Sequence, residues 1–263
     1  MESGTFCGRR ESRRCGILSV RSGSMNSKAC NRGMICVAVA ARDAAGAERA
    51  VRQVRGRVEV VEIRLDAMLV PQVRRCCDLL EPPLIFTNRP QWEGGQFRGP
   101  ETERLAPLLE AAALGAAFVD FELRADPGLR GRLLEGMAGS GSRLIISCHD
   151  FTGTPTEEEL GNILQQMLAS GAHIGKIVTM AHSDLDVLRV LNLQCLAREH
   201  DFPLIAFCMG EAGGISRLAT LYLGGFMTYA AISEEEATAP GQLSLARLSA
   251  LVDNFEQAAA LCR

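Results

Sequence analysis

From residue 35 onward the chain alternates short apolar runs with amphipathic stretches. The runs are ICVAVA (35–40), VEVVEIRLD (58–66), LIFTN (84–88), FVDFEL (118–123), RLIISCHD (143–150), HIGKIVTMA (173–181), PLIAFCMG (203–210) and FMTYAAI (226–232). Their length and β-branched content predict strands buried on both faces. The stretches between them predict helices, among them 44–55, 71–80 and 101–113. Thr156 followed by Glu159 forms a capping box that opens a helix running to Ser170, and Ser183 with Asp186 opens the next. Strand and helix alternate about eight times in about 230 residues, which predicts a single-domain α/β fold, a (β/α)8 TIM barrel. The competing fold, a doubly wound open sheet, would favour a G-x-G-x-x-G turn after the first strand. That turn and any Walker A loop are absent.

Charge divides the chain in two. Residues 1–33 hold seven basic side chains against Glu2 and Glu11, a local +5, so residues 34–263 carry the remaining −8. The basic arm is rich in Gly and Ser and lacks an apolar period, and it is expected to be a disordered extension ahead of the barrel. An acidic body offers no electrostatic footprint for nucleic acid. No apolar run reaches the roughly 18 residues needed to span a bilayer, so a membrane partner is not expected. The ten cysteines contain no C-x-x-C pair, and His173, His182 and His200 lack metal-ligand spacing, so no metal is expected. Without a secretory leader pattern, the cysteines read as reduced thiols of a cytoplasmic protein.

Lysine usage narrows the chemistry. Lys28 and Lys176 are the only lysines in the chain, so the body has one primary side-chain amine and otherwise arginine. Arginine stays protonated and cannot act as an amine nucleophile, whereas a lysine in an apolar strand can form an imine. Biased codon usage leaving one ordinary lysine is the plain alternative.

In a parallel barrel, reactive side chains gather at the carboxyl ends of the strands. Glu62 and Arg64 end the second run on one face, above Val58 and Val60. Arg89 and Glu93 follow the third, and Asp120 and Glu122 share a face of the fourth. His149 ends the fifth above Ile145 and Ser147, and Lys176 lies in the sixth between Ile174 and Val178. Arg217 follows the seventh in a Gly-rich stretch, and the eighth passes through Tyr229 to ATAPGQ. Each has a dull reading alone: a structural histidine, an ion pair, a turn glycine. Together they place an amine, an imidazole, carboxylates and guanidinium groups on one rim. A nucleophilic amine must be unprotonated, which apolar neighbours and nearby guanidinium groups favour. An imine acidifies the adjacent C–H bond, a neutral histidine can take that proton and return it to a leaving hydroxyl, and arginines can grip a carboxylate. The residues thus point to a Schiff-base lyase acting on a keto acid. A C–C-cleaving aldolase or transaldolase, and a catalytically silent barrel, stay open.

Six collinear blocks then match one family. EIRLD at Glu62, FTNRPQWEGG at Phe86, SCHDF at Ser147, GKIVTMA at Gly175, FCMGEAGGISR at Phe207 and ATAPGQ at Ala237 resemble type I 3-dehydroquinate dehydratases, from Ile35 to about Asp253. The resemblance implies dehydration of 3-dehydroquinate to 3-dehydroshikimate, in the shikimate pathway of aromatic amino-acid biosynthesis, by a homodimeric TIM barrel without metal or organic cofactor. It makes Lys176 the imine-forming lysine, His149 the general acid and base, and Glu93 the carboxylate that orients it. It assigns Glu62, Arg64 and Arg89 to the substrate's hydroxyls and carboxylate region, and Arg217 to its carboxylate. Met209, Tyr229, Thr238, Ala239 and Gln242 fall where the family lines and closes the pocket. Ile63, Cys208 and Thr238 depart from the family's commoner residues.

Overall fold

The computed structural model describes residues 32–81 and 83–261. Among the described residues eight parallel strands alternate with eight α-helices: β1 Met34–Val39, β2 Val60–Arg64, β3 Leu84–Thr87, β4 Phe118–Glu122, β5 Arg143–Asp150, β6 Ile174–Met180, β7 Leu204–Met209 and β8 Met227–Ala230. The helices are α1 Ala44–Val54, α2 Val73–Leu79, α3 Glu101–Ala113, α4 Pro127–Met137, α5 Glu157–Ala169, α6 Asp184–Glu199, α7 Gly214–Tyr222 and α8 Leu245–Leu261. The sheet order β7-β6-β5-β4-β3-β2-β1-β8 brings its two edges together. There Phe226 N–H donates to the Leu204 carbonyl at 2.8 Å, so the barrel is nearly closed.

Strand alternation divides the core in two. One set of side chains packs outward on the helices: Val37, Ile63, Phe86, Phe121, Ile146 and Ile177 belong to the outer cluster. The other set fills the barrel, with Cys36, Val60, Ile85, Phe118, Ile145, Ile174, Ile205 and Met227 forming its apolar floor. One step toward the carboxyl ends, the inward positions become polar. Register carries this across the sheet: Glu62 lies beside Ile85, Thr87 beside Asp120, Glu122 beside Ser147, and Ser147 beside Lys176.

Both capping boxes form, Thr156 with Glu159 and Ser183 with Asp186, so these helix starts follow from local chemistry. The main difference from the sequence reading is at β2. Val58 precedes the strand and packs with the outer cluster, so only Val60 lies beneath Glu62 and Arg64. Leu65 to Ala67 then curl into a single tight turn. The basic arm falls outside the described residues except at its end. Arg32 pairs with Glu59 at 2.9 Å and Glu256 at 3.5 Å, and Gly33 N–H donates to the Leu221 carbonyl. Among the described residues no helix is long and apolar enough to cross a membrane.

Candidate active site

The rim residues of the sequence reading, apart from Asp120 and Glu122, converge on one cavity. Its lining includes Glu62, Arg64, Arg89, Glu93, His149, Lys176, Met209, Arg217, Tyr229, Thr238, Ala239 and Gln242. Ala38, Gly94, Phe151, Val178 and Phe207 complete the wall; of these the sequence reading set only Val178 beside Lys176 and Gly94 beside Glu93. Ala38 and Val178 are inward positions of β1 and β6, legible from strand alternation alone. A larger hollow opens elsewhere, between the β5–α5 loop and α5, lined by Arg124, Asp150, Asn162 and Gln166. It shares no residue with the Lys176 cavity.

Lys176 is buried in the middle of β6. Its Nζ lies 3.3 Å from Asp120 Oδ2, 3.5 Å from Glu62 Oε1 and 4.2 Å from the centre of the Tyr229 ring. The nearest charged partners of the amine are therefore carboxylates, whereas the sequence reading set apolar and guanidinium neighbours against it. Asp120 on β4 and Glu62 on β2 are inward residues that reach Lys176 on β6 across the barrel interior. Glu62 is itself fixed by Thr87 Oγ1, which donates to it at 2.7 Å.

His149 ends β5 with its ring stacked on Phe151. Its Nδ1 lies 2.9 Å from Glu93 Oε1, and its backbone N–H donates to the same oxygen at 3.1 Å. Glu93 reaches back because Gln91–Glu93 form a single 3-10 turn closed by Gly94 in the left-handed region, φ 78°. A Cβ on Gly95 would stand 2.0 Å from the Arg89 carbonyl oxygen, so the second glycine of the EGG block is a close-approach requirement. With Nδ1 given to Glu93, Nε2 is left as the ring nitrogen free for a ligand.

Burial pushes the Glu93 carboxyl up to about 8, partly offset by Arg89. Burial, with Arg89, Lys176 and Arg64 nearby, pushes His149 well below its ordinary value. Near neutrality each group is therefore biased toward its own neutral form. Linkage fixes the consequence. Between 4.5 and about 8 the folded protein holds a proton on Glu93 that the unfolded chain has released, so stability from this group declines as pH rises through that window. His149 acts oppositely, and its contribution is lost as pH falls below about 6.5. Glu93→Gln should flatten the decline by up to about 1.4 kcal/mol per pH unit, measurable by urea unfolding at a series of pH values. An unchanged slope would contradict the assignment.

The three rim arginines are in different states. Arg64 forks onto Asp66, with Nε at 2.9 Å and Nη2 at 2.6 Å. Arg89 gives Nη1 to Glu122 at 2.6 Å and to Ser147 at 2.7 Å, and Nη2 to Asp120 at 2.8 Å. Glu122 also pairs at 2.5 Å with Arg104, a fully buried side chain from α3. Arg217 is the exception. It is 1% exposed and lies over the Phe207 ring, and its Nε and Nη2 have no hydrogen-bond partner among the described residues. Burial lowers it to about 10. A buried guanidinium with open donors beside a cavity is a seat for an anion. The loop that carries Thr238, Ala239 and Gln242 lines the same cavity and is anchored locally: Thr238 N–H donates to Gln242 Oε1 at 2.7 Å, and Gly210 N–H donates to the Pro240 carbonyl at 3.2 Å.

A family model described as type I 3-dehydroquinase matches residues 35–258. The chain belongs to the type I 3-dehydroquinase family. Among its relatives is a 3-dehydroquinate dehydratase of Desulfotalea psychrophila, 43% identical over 197 residues, which span 75% of this chain and 87% of the relative. One from Methanococcus maripaludis is 32% identical over 83% of this chain and 98% of its own length. The type I 3-dehydroquinate dehydratase of Clostridium difficile, solved with covalently modified comenic acid, has a TM-score of 0.78 and 25% identity. That match covers 87% of this chain and 94% of that one. The Geobacillus kaustophilus enzyme gives the same TM-score at 28% identity, covering 86% and 91%. These family structures share the TIM barrel found here.

Proposed function

We propose that this chain dehydrates 3-dehydroquinate to 3-dehydroshikimate through a Schiff base on Lys176, as a step of the shikimate pathway. The observation that carries the reading is the convergence, in one cavity, of the body's single amine, a histidine oriented by Glu93, and a buried arginine with open donors. The neutral amine adds to the ketone carbon of the substrate and water leaves, giving an iminium. That cation withdraws electrons from the neighbouring C–H bond, and His149 Nε2 removes the proton to leave an enamine. The enamine then expels the hydroxyl one carbon further along, which His149 protonates as it departs. Hydrolysis of the remaining imine releases the conjugated enone and restores Lys176.

Binding follows from the rest of the wall. The open donors of Arg217 take the substrate carboxylate, helped by Gln242 and Thr238 of the loop above. Glu62, with Arg64 and Arg89 behind it, meets the hydroxyls, while Met209, Tyr229 and Ala239 close against the carbon ring. A loop over the site shields the imine from premature hydrolysis. The same reading places the protein in the cytoplasm as a homodimer, on the family resemblance and the cysteine pattern. Dehydroquinate incubated with the protein should generate the ultraviolet absorbance of the conjugated enone. Folded protein giving no absorbance change would refute the assignment, and cleavage of sugar phosphates instead would favour the aldolase alternative.

Arg217→Ala removes the anion seat but none of the proton-transfer groups. KM should rise by about 10- to 100-fold, the worth of a charge-assisted hydrogen bond, with a smaller change in kcat. Steady-state kinetics checks this, and an unaltered KM would remove Arg217 from the binding role.

A further inference from the structure

Asp120 takes no part in the mechanism above, yet it is the charged group nearest the reacting nitrogen. It is fully buried on β4, and its two oxygens are divided between two tasks. Oδ1 accepts from Arg89 Nη2 at 2.8 Å and from Ser147 Oγ at 2.7 Å, while Oδ2 faces Lys176 Nζ at 3.3 Å. Arg89 is in turn locked by Glu122, and Glu122 by Arg104. The chain Arg104, Glu122, Arg89, Asp120, Lys176 alternates in sign from α3 to the reactive amine, and each link fixes the next. Burial alone would push Asp120 up, but Arg89, Lys176 and the Ser147 hydrogen bond outweigh it and hold the group below its ordinary value.

We propose that Asp120 is the resident counter-ion of the covalent intermediate: it holds the Lys176 nitrogen at the rim and balances the positive charge gained when that nitrogen joins the substrate. The proposal rests on the imine reading and deepens it. In the step concerned, a neutral amine, a ketone and one proton become an iminium and water. A C=N bond replaces the C=O bond, the carbonyl oxygen leaves as water, and the nitrogen ends with a full positive charge and one N–H. An ammonium has three N–H donors and could satisfy both Asp120 and Glu62, but an iminium has one. Only one carboxylate can keep it. Apart from Lys176, Glu62 is aligned among the described residues by Thr87, and it lines the cavity where substrate hydroxyls arrive. Asp120 is pinned by two donors and is absent from the cavity wall, so no substrate group competes for it.

Asp120→Asn keeps the shape, and its oxygen can still accept from Arg89 and Ser147, but the charge is gone. With dehydroquinate and borohydride present, the rate of irreversible mass gain on Lys176 should fall by about 10-fold or more, the worth of a hydrogen bond to a charged group. The value of kcat should fall with it, and KM should move less than about threefold, since Asp120 touches no part of the unreacted substrate. Ser147→Ala leaves the carboxylate but frees its Oδ1 side, and should slow trapping to a lesser degree. Wild-type trapping and turnover in Asp120→Asn would overturn the proposal, as would slow turnover with unchanged trapping. If Asp120→Asn does not fold, by circular dichroism, an unchanged trapping rate in Ser147→Ala overturns it. A wild-type protein that turns over substrate but traps nothing would refute the imine reading itself, which separates the two failures.

Discussion

Lys176→Arg should abolish turnover, by at least about 10⁴-fold, while leaving the protein folded. Arginine keeps a cation opposite Asp120 and Glu62, so neither buried carboxylate loses its partner, and the usual penalty of an orphaned buried charge is avoided. What it cannot supply is a neutral nitrogen nucleophile. The loss is set on the scale seen when a covalent nucleophile is removed from a preorganised site. The enone absorbance assay reads the rate and a urea melt reads the fold. A folded Lys176→Arg protein with substantial activity would show that the amine is not the nucleophile.

His149→Ala should behave differently in a diagnostic way. Dehydration should slow by about 10²- to 10⁴-fold, as expected for loss of a general acid and base. The amine is untouched, so the imine should still form and borohydride should still fix the ligand on Lys176. Glu93 loses its Nδ1 partner in this variant but keeps the backbone N–H of residue 149, so its placement survives in part. Single-turnover kinetics with borohydride quenching separates the steps. A variant that neither traps nor turns over would assign His149 to imine formation instead.

Much of this site was readable from the chain because strands alternate their side chains with a period of two. Ile145, Ser147 and His149, or Ile174, Lys176 and Val178, could be placed on one inward face without coordinates, and they lie there. The EGG block likewise carried its geometry in its composition, since only glycine suits the positive φ of Gly94 and the close approach at Gly95. What alternation cannot give is height across strands. The meeting of Asp120, Ser147 and Lys176 depends on the register of β4, β5 and β6, which is set by packing between distant segments. For that reason the apolar neighbours Ile174 and Val178 are legible in sequence, whereas the carboxylates that stand nearer the amine than any guanidinium are not. Strand length is equally non-local: Val58 has the residue type of a strand position but packs outside the barrel. The different states of Arg64, Arg89 and Arg217 are invisible in sequence, because a guanidinium's freedom depends on which acids reach it first.

Every step proposed for turnover passes through a covalent bond between Lys176 and the substrate. Incubating the protein with 3-dehydroquinate and sodium borohydride, then mapping the product by peptide mass spectrometry, tests it directly, because the chain has only two lysines. The mass of one reduced ligand is expected on the peptide containing Lys176. A protein that converts the substrate yet carries no adduct, or carries it on Lys28, would contradict it.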